Sequence, residues 1–87
     1  MTYLVTWLPD AERELARLWM AAPERAAITA AANELDRRLA ANGPEEGESR
    51  EDDFRITFAP PLAVVFRAIL GKPQVQVSHV WTYPRSR

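Results

Sequence analysis

The sequence predicts an α+β fold in which a helical hairpin packs on one face of a small, mainly antiparallel four-stranded sheet. Apolar residues repeat with a helical period through residues 10–43, and they alternate or form short apolar runs in the segments on either side. The two helical segments are also consecutive in the chain, which favours their packing together on one sheet face. We therefore expect the element order β-αα-βββ.

The first strand and the helical hairpin follow from residues 2–43. The segment "TYLVTWL" (2–8) is rich in β-branched, aromatic and aliphatic residues and ends at a proline, which predicts a strand. The segment "DAERELARLWMAA" (10–22) has helical spacing, with Asp10 as the expected N-cap. Pro23 suits the first turn of a second helix, which a Gly-Pro pair ends after residue 42. The residues expected to line the core face of this second helix are Ile28, Ala31, Leu35 and Leu39.

Three further strands are expected in the last third of the chain. They are "DFRITFA" (53–59), "LAVVFRAIL" (62–70) and "QVQVSHVWTY" (74–83), separated by a Pro-Pro pair and by "GKP". Because the connections are short, the three strands should form an antiparallel meander.

Side-chain alternation along these strands predicts which residues face away from the helices. In the first strand of the meander, the aromatic and aliphatic set that includes Phe54 and Phe58 should face the helices, which turns Arg55 to the open side. In the second, Phe66 should face the helices and Arg67 the open side. In the third, both sets are partly apolar, so alternation leaves the orientation of His79 undecided.

Size and composition limit the kinds of site that the chain can build. At 87 residues, a single domain over residues 1–87 is expected. The chain has no cysteine and one histidine, so we expect no disulfide, no metal site and no other cofactor. The N-terminus does not resemble a signal peptide, and no apolar stretch approaches the roughly 20 residues that span a bilayer. We expect a cytoplasmic, bacterial-type protein without a membrane partner.

The charges are distributed unevenly along the chain. Residues 45–53 hold six of the twelve acidic residues and one base, Arg50, whereas the remaining chain has ten basic residues against six acidic ones. We interpret the acidic segment as a solvated loop, with Arg67 as one cation that an acid of this loop could pair with. The rest of the chain is mildly basic, which leaves room for a positive face that binds nucleic acid.

The whole chain resembles the RelE/ParE superfamily of small toxins from bacterial type II toxin–antitoxin systems. The segments that carry the resemblance are "YLVTWLPDAERELARLW", "AANELDRRLA", "GESR", "FRITFAPPLAVVFRAI" and "VQVSHVW". The resemblance covers almost the full length and implies a β-αα-βββ fold and an antitoxin partner. It also implies one of two activities: RelE-like members cut mRNA on the translating ribosome, and ParE-like members poison DNA gyrase.

The resemblance to RelE-like nucleases also indicates a site. Arg55 lies where the family has a basic residue, and residues 79–83 lie where RelE-like enzymes carry late catalytic groups. Cleavage by the 2′-hydroxyl needs a base, an acid and cations on the phosphate, and histidine serves in either proton-transfer role near neutral pH. The predicted catalytic residues are Arg55, Arg67, His79 and Tyr83, and the predicted substrate-binding residues are Trp81 and Arg50.

Other interpretations of the same residues remain open at this point. His79 is also explained as a half-buried histidine or an antitoxin contact, and Trp81 as a core or interface residue. A gyrase poison needs no catalytic residues, and this chain has Thr57 and Ala63 where RelE-like enzymes usually display cations. A non-toxic interaction module of the same fold is a third possibility. An antitoxin helix or strand would cover an exposed apolar patch that could include Trp7, Trp19 or Trp81.

Overall fold

The computed structural model describes residues 2–69 and 71–83, and within these ranges the chain forms two α-helices and five strands. The elements are β1 (Leu4–Trp7), α1 (Pro9–Ala21), α2 (Arg25–Asn42), β2 (Glu48–Ser49), β3 (Arg55–Ala59), β4 (Leu62–Ala68) and β5 (Gln74–Thr82). The predicted α+β class and element order are confirmed. The sheet has five strands rather than four because the acidic segment contributes the two-residue strand β2. Leu70, predicted at the end of a strand, lies outside the described residues.

The strands form one mixed sheet in the order β1-β5-β4-β3-β2. Strands β3, β4 and β5 make the predicted antiparallel meander, and β2 extends it on the β3 side. Strand β1 pairs with β5 in parallel because the helical hairpin carries the chain between the first strand and the rest. Strand β5 therefore lies in the interior of the sheet, with a neighbour on each side.

Helix α1 begins at a proline and helix α2 ends at a glycine. Helix α2 begins at Arg25 with Glu24 at the N-cap, so the expectation that Pro23 lies in its first turn is wrong. Helix α1 has Pro9 in its first turn and Leu8 at the N-cap, so the prediction of Asp10 as N-cap is wrong. Proline needs no hydrogen-bond acceptor at this position, and its fixed φ fits the first turn. Helix α2 ends at Gly43, whose φ is 51°, and a Cβ there would lie 2.6 Å from the ring of Tyr3. Neither helix combines the length and hydropathy that crossing a bilayer needs.

The core lies between the helical hairpin and the sheet face that it packs on, which we call the covered face. All four residues predicted to line the core face of α2 are buried, which confirms the helical periodicity. The sheet contributes seven buried residues to the same cluster: Ala59, Leu62, Val64, Phe66, Val75, Val77 and Val80. The opposite side of the sheet carries no helix of the described chain, and we call it the open face.

The orientation of β3 differs from the prediction. Residues directly opposite one another in an antiparallel pair share a face. Arg55 lies opposite Phe66, which is buried in the core, so Arg55 is on the covered face. Phe58 lies opposite Ala63, so its ring is on the open face, where it is 42% exposed. The prediction assumed that the bulkiest set of β3 would face the helices, and this assumption is wrong.

The physical reason is that helix α2 packs directly against β3, where the Arg38 guanidinium donates to the Phe58 carbonyl. The covered face of β3 carries Thr57 and Ala59, two small buried residues beside the alanine-rich helix. The Thr57 hydroxyl donates to a Glu46 carboxylate oxygen at 3.0 Å, so its burial leaves no unpaired polar group. Large rings at these positions would have to displace α2 from the sheet.

Candidate functional site

A β-bulge in β5 determines which side chains reach the open face. Val65 lies opposite His79, but the next residue of β4, Phe66, lies opposite Val77, so Ser78 is an extra residue in β5. The bulge reverses the alternation, and Val77 and Val80 both face the core as a result. Neither of the two alternating sets that the sequence offers is therefore preserved along the whole strand.

After the bulge, the predicted late-sequence residues all lie on the open face. His79 is exposed opposite Val65, and Trp81 is half-buried opposite Ala63. The ring of Tyr83 meets the ring of Phe58 edge to face, with centroids 5.2 Å apart. Arg67, which follows Phe66 on β4, is exposed on the same side. The structure thus brings Arg67, His79, Trp81 and Tyr83 to one surface.

The bulge residue also orients the imidazole of His79. The Ser78 hydroxyl donates to the Val65 carbonyl at 3.2 Å, and His79 Nδ1 lies 3.1 Å from the same hydroxyl oxygen. Because Ser78 has one hydroxyl hydrogen, the contact with His79 is satisfied when Nδ1 carries the ring hydrogen. The neutral imidazole then has its free electron pair on Nε2, which suits it to accept a proton.

Three rings and a small residue form an aromatic surface beside His79. Ala63 lies between Phe58 on β3 and Trp81 on β5, directly opposite both. It is on the open face, but these neighbours leave none of its surface exposed to solvent. Tyr83 extends this surface through its contact with Phe58. An accessible aromatic surface of this kind is able to stack on unpaired bases or to pack against an apolar partner.

At the other end of the open face, His79 borders a cavity, and Arg67 lies over the Phe54 ring that lines the same cavity. The Arg67 guanidinium carbon lies 5.3 Å from the centre of the Phe54 ring, a cation–π geometry. A cavity of about 470 Å³ is lined by Arg50, Glu51, Asp52, Phe54, Val65 and His79. Among the ion pairs of the described residues, none involves Arg67, so the structure places it against an aromatic ring rather than an acid of the loop.

Arg55 does not join this group. Its side chain lies on the covered face and is bonded to the acidic segment: Nε donates to the Glu46 carbonyl at 2.8 Å, Nη2 to the Gly47 carbonyl at 2.8 Å and Nη1 to the Ser49 hydroxyl at 3.1 Å. The predicted site residues are therefore divided between the two sides of the sheet, with Arg50 at the margin of the open face.

Sequence reasoning missed the inward-facing part of the acidic segment. The Glu46 side chain is only 12% exposed and lies 3.4 Å from the Arg38 guanidinium, with further hydrogen bonds to Thr57 and to the Asn42 amide. The interpretation of this segment as a solvated loop is thus wrong at Glu46. No sequence signal distinguishes Glu46 from its exposed neighbour Glu45, because both are glutamates in a run of acids.

Two carboxyl groups with lowered pKa values lie on the helix surfaces. A hydrogen bond from Arg17 lowers the pKa of Glu14, and a hydrogen bond from Arg37 lowers the pKa of Glu34. In each pair, the two residues are about one helical turn apart and exposed to solvent, so the pair stabilises its own helix. No cluster of three potential metal-ligating side chains occurs in residues 2–69 and 71–83.

A known structure shares this architecture. A chain in the crystal structure of the toxin–antitoxin complex RelBE2 from Mycobacterium tuberculosis matches with a TM-score of 0.72 and 15% sequence identity. The match covers 95% of this chain and 93% of the other. No family model and no curated protein sequence matches. The RelE/ParE-like fold predicted from the sequence is therefore confirmed, and at this identity the likeness concerns the fold.

Proposed function

We propose that this chain is the toxin of a bacterial type II toxin–antitoxin pair and that it is a RelE-like endoribonuclease. The observation that carries the proposal is the grouping of Arg67, His79, Trp81 and Tyr83 on one accessible sheet face. The architecture shared with a chain of the RelBE2 complex supports the toxin–antitoxin class. The proposed substrate is mRNA on the translating ribosome, in the cytoplasm, and the proposed protein partner is an antitoxin.

In this proposal, His79 and Arg67 perform the chemistry. His79 Nε2 takes the proton of a 2′-hydroxyl, whose oxygen attacks the adjacent phosphorus. The bond from phosphorus to the 5′ oxygen breaks, that oxygen leaves with a proton from solvent, and a 2′,3′-cyclic phosphate remains. Arg67 stabilises the charge that builds on the phosphate oxygens, and Arg50 contacts a neighbouring phosphate at the cavity wall. The hydrogen bond of Nδ1 with Ser78 holds the ring in the required tautomer.

Trp81 and Tyr83 have a binding role in this proposal. Tyr83 is four residues beyond His79, which is about 13 Å along an extended strand. At that distance the two side chains do not act on the same phosphate. We therefore assign Tyr83, like Trp81, to stacking on unpaired bases. Such stacking contributes about 1–3 kcal/mol per base to the free energy of binding single-stranded RNA.

The test compares open-face variants with a matched arginine variant on a helix. In a translation reaction reconstituted with ribosomes and mRNA, we expect His79→Asn to lower the cleavage rate by about 10²-fold or more. Arg67→Gln should also lower cleavage, because a cation is lost at the phosphate. Arg17→Gln removes an exposed arginine from α1 and should cleave as the unaltered protein does. Cleavage unchanged in both open-face variants would show that this site is wrong.

One observation favours a second candidate, a ParE-like gyrase poison. Glu51 and Asp52 line the same cavity as Arg50, and a Glu48 carboxylate oxygen lies 3.6 Å from the Arg50 guanidinium. These acids offset the positive charge that RNA binding requires, while the aromatic surface suits a protein partner. For a gyrase poison, expression would raise gyrase-linked DNA breaks while translation continued. For the nuclease, translation would stop and the mRNA would be cut.

A further inference from the structure

The segment between α2 and β3 is fixed to the sheet from the covered face. Arg55 bonds to three acceptors in it, the carbonyls of Glu46 and Gly47 and the hydroxyl of Ser49. Each acceptor is reached by a different nitrogen of one planar guanidinium, so the three contacts fix the direction of the backbone as well as its distance. A single arginine side chain thereby sets the direction of the chain that leads into β2.

Close packing of the backbone adds to this attachment. Gly47 has a φ of 71°, and a Cβ there would lie 2.1 Å from the Ile56 carbonyl oxygen. Only glycine permits the segment to lie this close to β3 in this conformation. Ser49 then pairs with Arg55 in the β2–β3 ladder. The segment therefore lies against β3 through backbone contacts, with Arg55 as the side chain that joins them.

The chain that follows passes from this attachment to the open face. The Arg50 amide donates to the Phe54 carbonyl at 2.6 Å, and the Phe54 amide donates to the Glu51 carbonyl at 3.0 Å, which closes a turn. Three residues of that turn, Arg50, Glu51 and Asp52, line the cavity together with His79. The position of this cavity wall consequently depends on where Ser49 is held.

We propose that Arg55 is a positioning residue: from the covered face, it holds residues 46–49 so that Arg50 and the turn after it form the wall of the cavity beside His79. The proposal rests on the proposed nuclease function for its consequence in activity but not for its structural statement. The proposal gives Arg55 and Arg67 different roles, because Arg55 contacts the protein backbone and does not face the substrate.

The experiment measures loop order and activity separately in the full chain. Arg55→Lys keeps the charge but loses the planar fork, and Arg37→Lys is the matched control on the surface of α2. By hydrogen exchange, we expect the Arg50 and Phe54 amides to exchange about tenfold faster in Arg55→Lys, with the amides of β4 and β5 unchanged. In RNA cleavage, KM should rise about tenfold with kcat little changed, because the wall that binds substrate has moved.

A second variant acts on the same segment without changing any charge. Gly47→Ala should disturb residues 46–49 through the close approach to Ile56, and it should give the same exchange pattern and the same rise in KM. Arg37→Lys should match the unaltered protein in both measurements.

The outcomes separate this proposal from the proposed function. If the unaltered protein cuts no RNA, the nuclease assignment fails, and the exchange of Arg50 and Phe54 still decides the role of Arg55. Exchange in Arg55→Lys equal to that in Arg37→Lys would overturn the positioning role. Faster exchange throughout β4 and β5 would overturn it as well, because Arg55 would then support the whole fold. A loss in kcat alone would make Arg55 part of the chemistry instead.

Discussion

The two faces of the sheet use alternate residues of the same strands for different purposes, and β4 shows the contrast most clearly. Leu62, Val64 and Phe66 point to the helices and are fully buried, whereas Val65 and Arg67 point to the open face and are partly or largely accessible. The strand is apolar along almost its whole length. Its hydropathy therefore shows that it lies inside the sheet but not that one face is left available for a ligand.

Two arginines on neighbouring strands repeat the contrast. Arg55 on β3 and Arg67 on β4 each interrupt an apolar run, and the sequence pattern treats them alike. In the structure, Arg55 donates to two carbonyls and one hydroxyl of residues 46–49, whereas Arg67 lies over the Phe54 ring at the surface. An arginine in a strand thus either bonds to the protein itself or remains available at the surface, depending on which face of the sheet its side chain occupies.

The largest expected difference between the faces concerns stability. Leu62 on β4 is fully buried on the covered face, and Leu4 on β1 is 60% exposed on the other side of the sheet. We expect Leu62→Ala to lower the free energy of unfolding by about 3 kcal/mol, because it leaves a cavity in the core. Leu4→Ala should change it by less than about 1 kcal/mol. Urea denaturation of both variants measures the difference, and equal losses would contradict the division into two faces.

A smaller effect is expected from the polar network at the margin of the covered face. Glu46→Ala removes the partner of Arg38 and the acceptor for Thr57, and we expect a loss of about 1–3 kcal/mol in the free energy of unfolding. Glu45→Ala, at the exposed neighbouring position, should stay within about 0.5 kcal/mol of the unaltered protein. The comparison is made by denaturant unfolding, and a Glu46 variant as stable as the Glu45 variant would make the network dispensable.

The smallest effect concerns the bulge on which the open face depends. Ser78→Ala removes the hydroxyl that bonds the Val65 carbonyl and His79 Nδ1, at an expected cost of about 1 kcal/mol. We also expect the neutral His79 ring to lose its preference for hydrogen on Nδ1, measured by the ¹⁵N shifts of the imidazole. Ser78→Thr keeps a hydroxyl and should keep the preference. Finding the hydrogen on Nε2 in the unaltered protein would exclude the assigned tautomer.

The helices and the antiparallel meander of the last three long strands were predictable because local patterns determine them. The helical spacing of Ile28, Ala31, Leu35 and Leu39 requires one buried stripe, and all four are buried. The short connections between the last three strands leave an antiparallel meander as the simplest arrangement, which the structure has. The position of Arg67 on the open face follows from alternation in a strand whose other set is continuous with the core.

Two features of the candidate site were not predictable from such patterns. The orientation of β3 depends on the direct packing of α2 against it, which favours Thr57 and Ala59 on the covered face over the larger Phe58. The bulge at Ser78 reverses the alternation in the middle of β5 and brings His79 to the open face while Val80 returns to the core. A bulge is one extra residue in a pair of strands, and neither strand alone carries a signal for it.

The sequence by itself determined the fold class, the order of the elements, the core face of α2 and the residue types available for a site. These properties depend on periodicity and turn residues, which act over a few neighbours in the chain. Only the tertiary structure decided that Arg55 lies on the covered face and His79 on the open face. That decision depends on the approach of α2 to β3, on the extra residue in β5 and on the carbonyl groups that bind Arg55, all of which join residues distant in sequence.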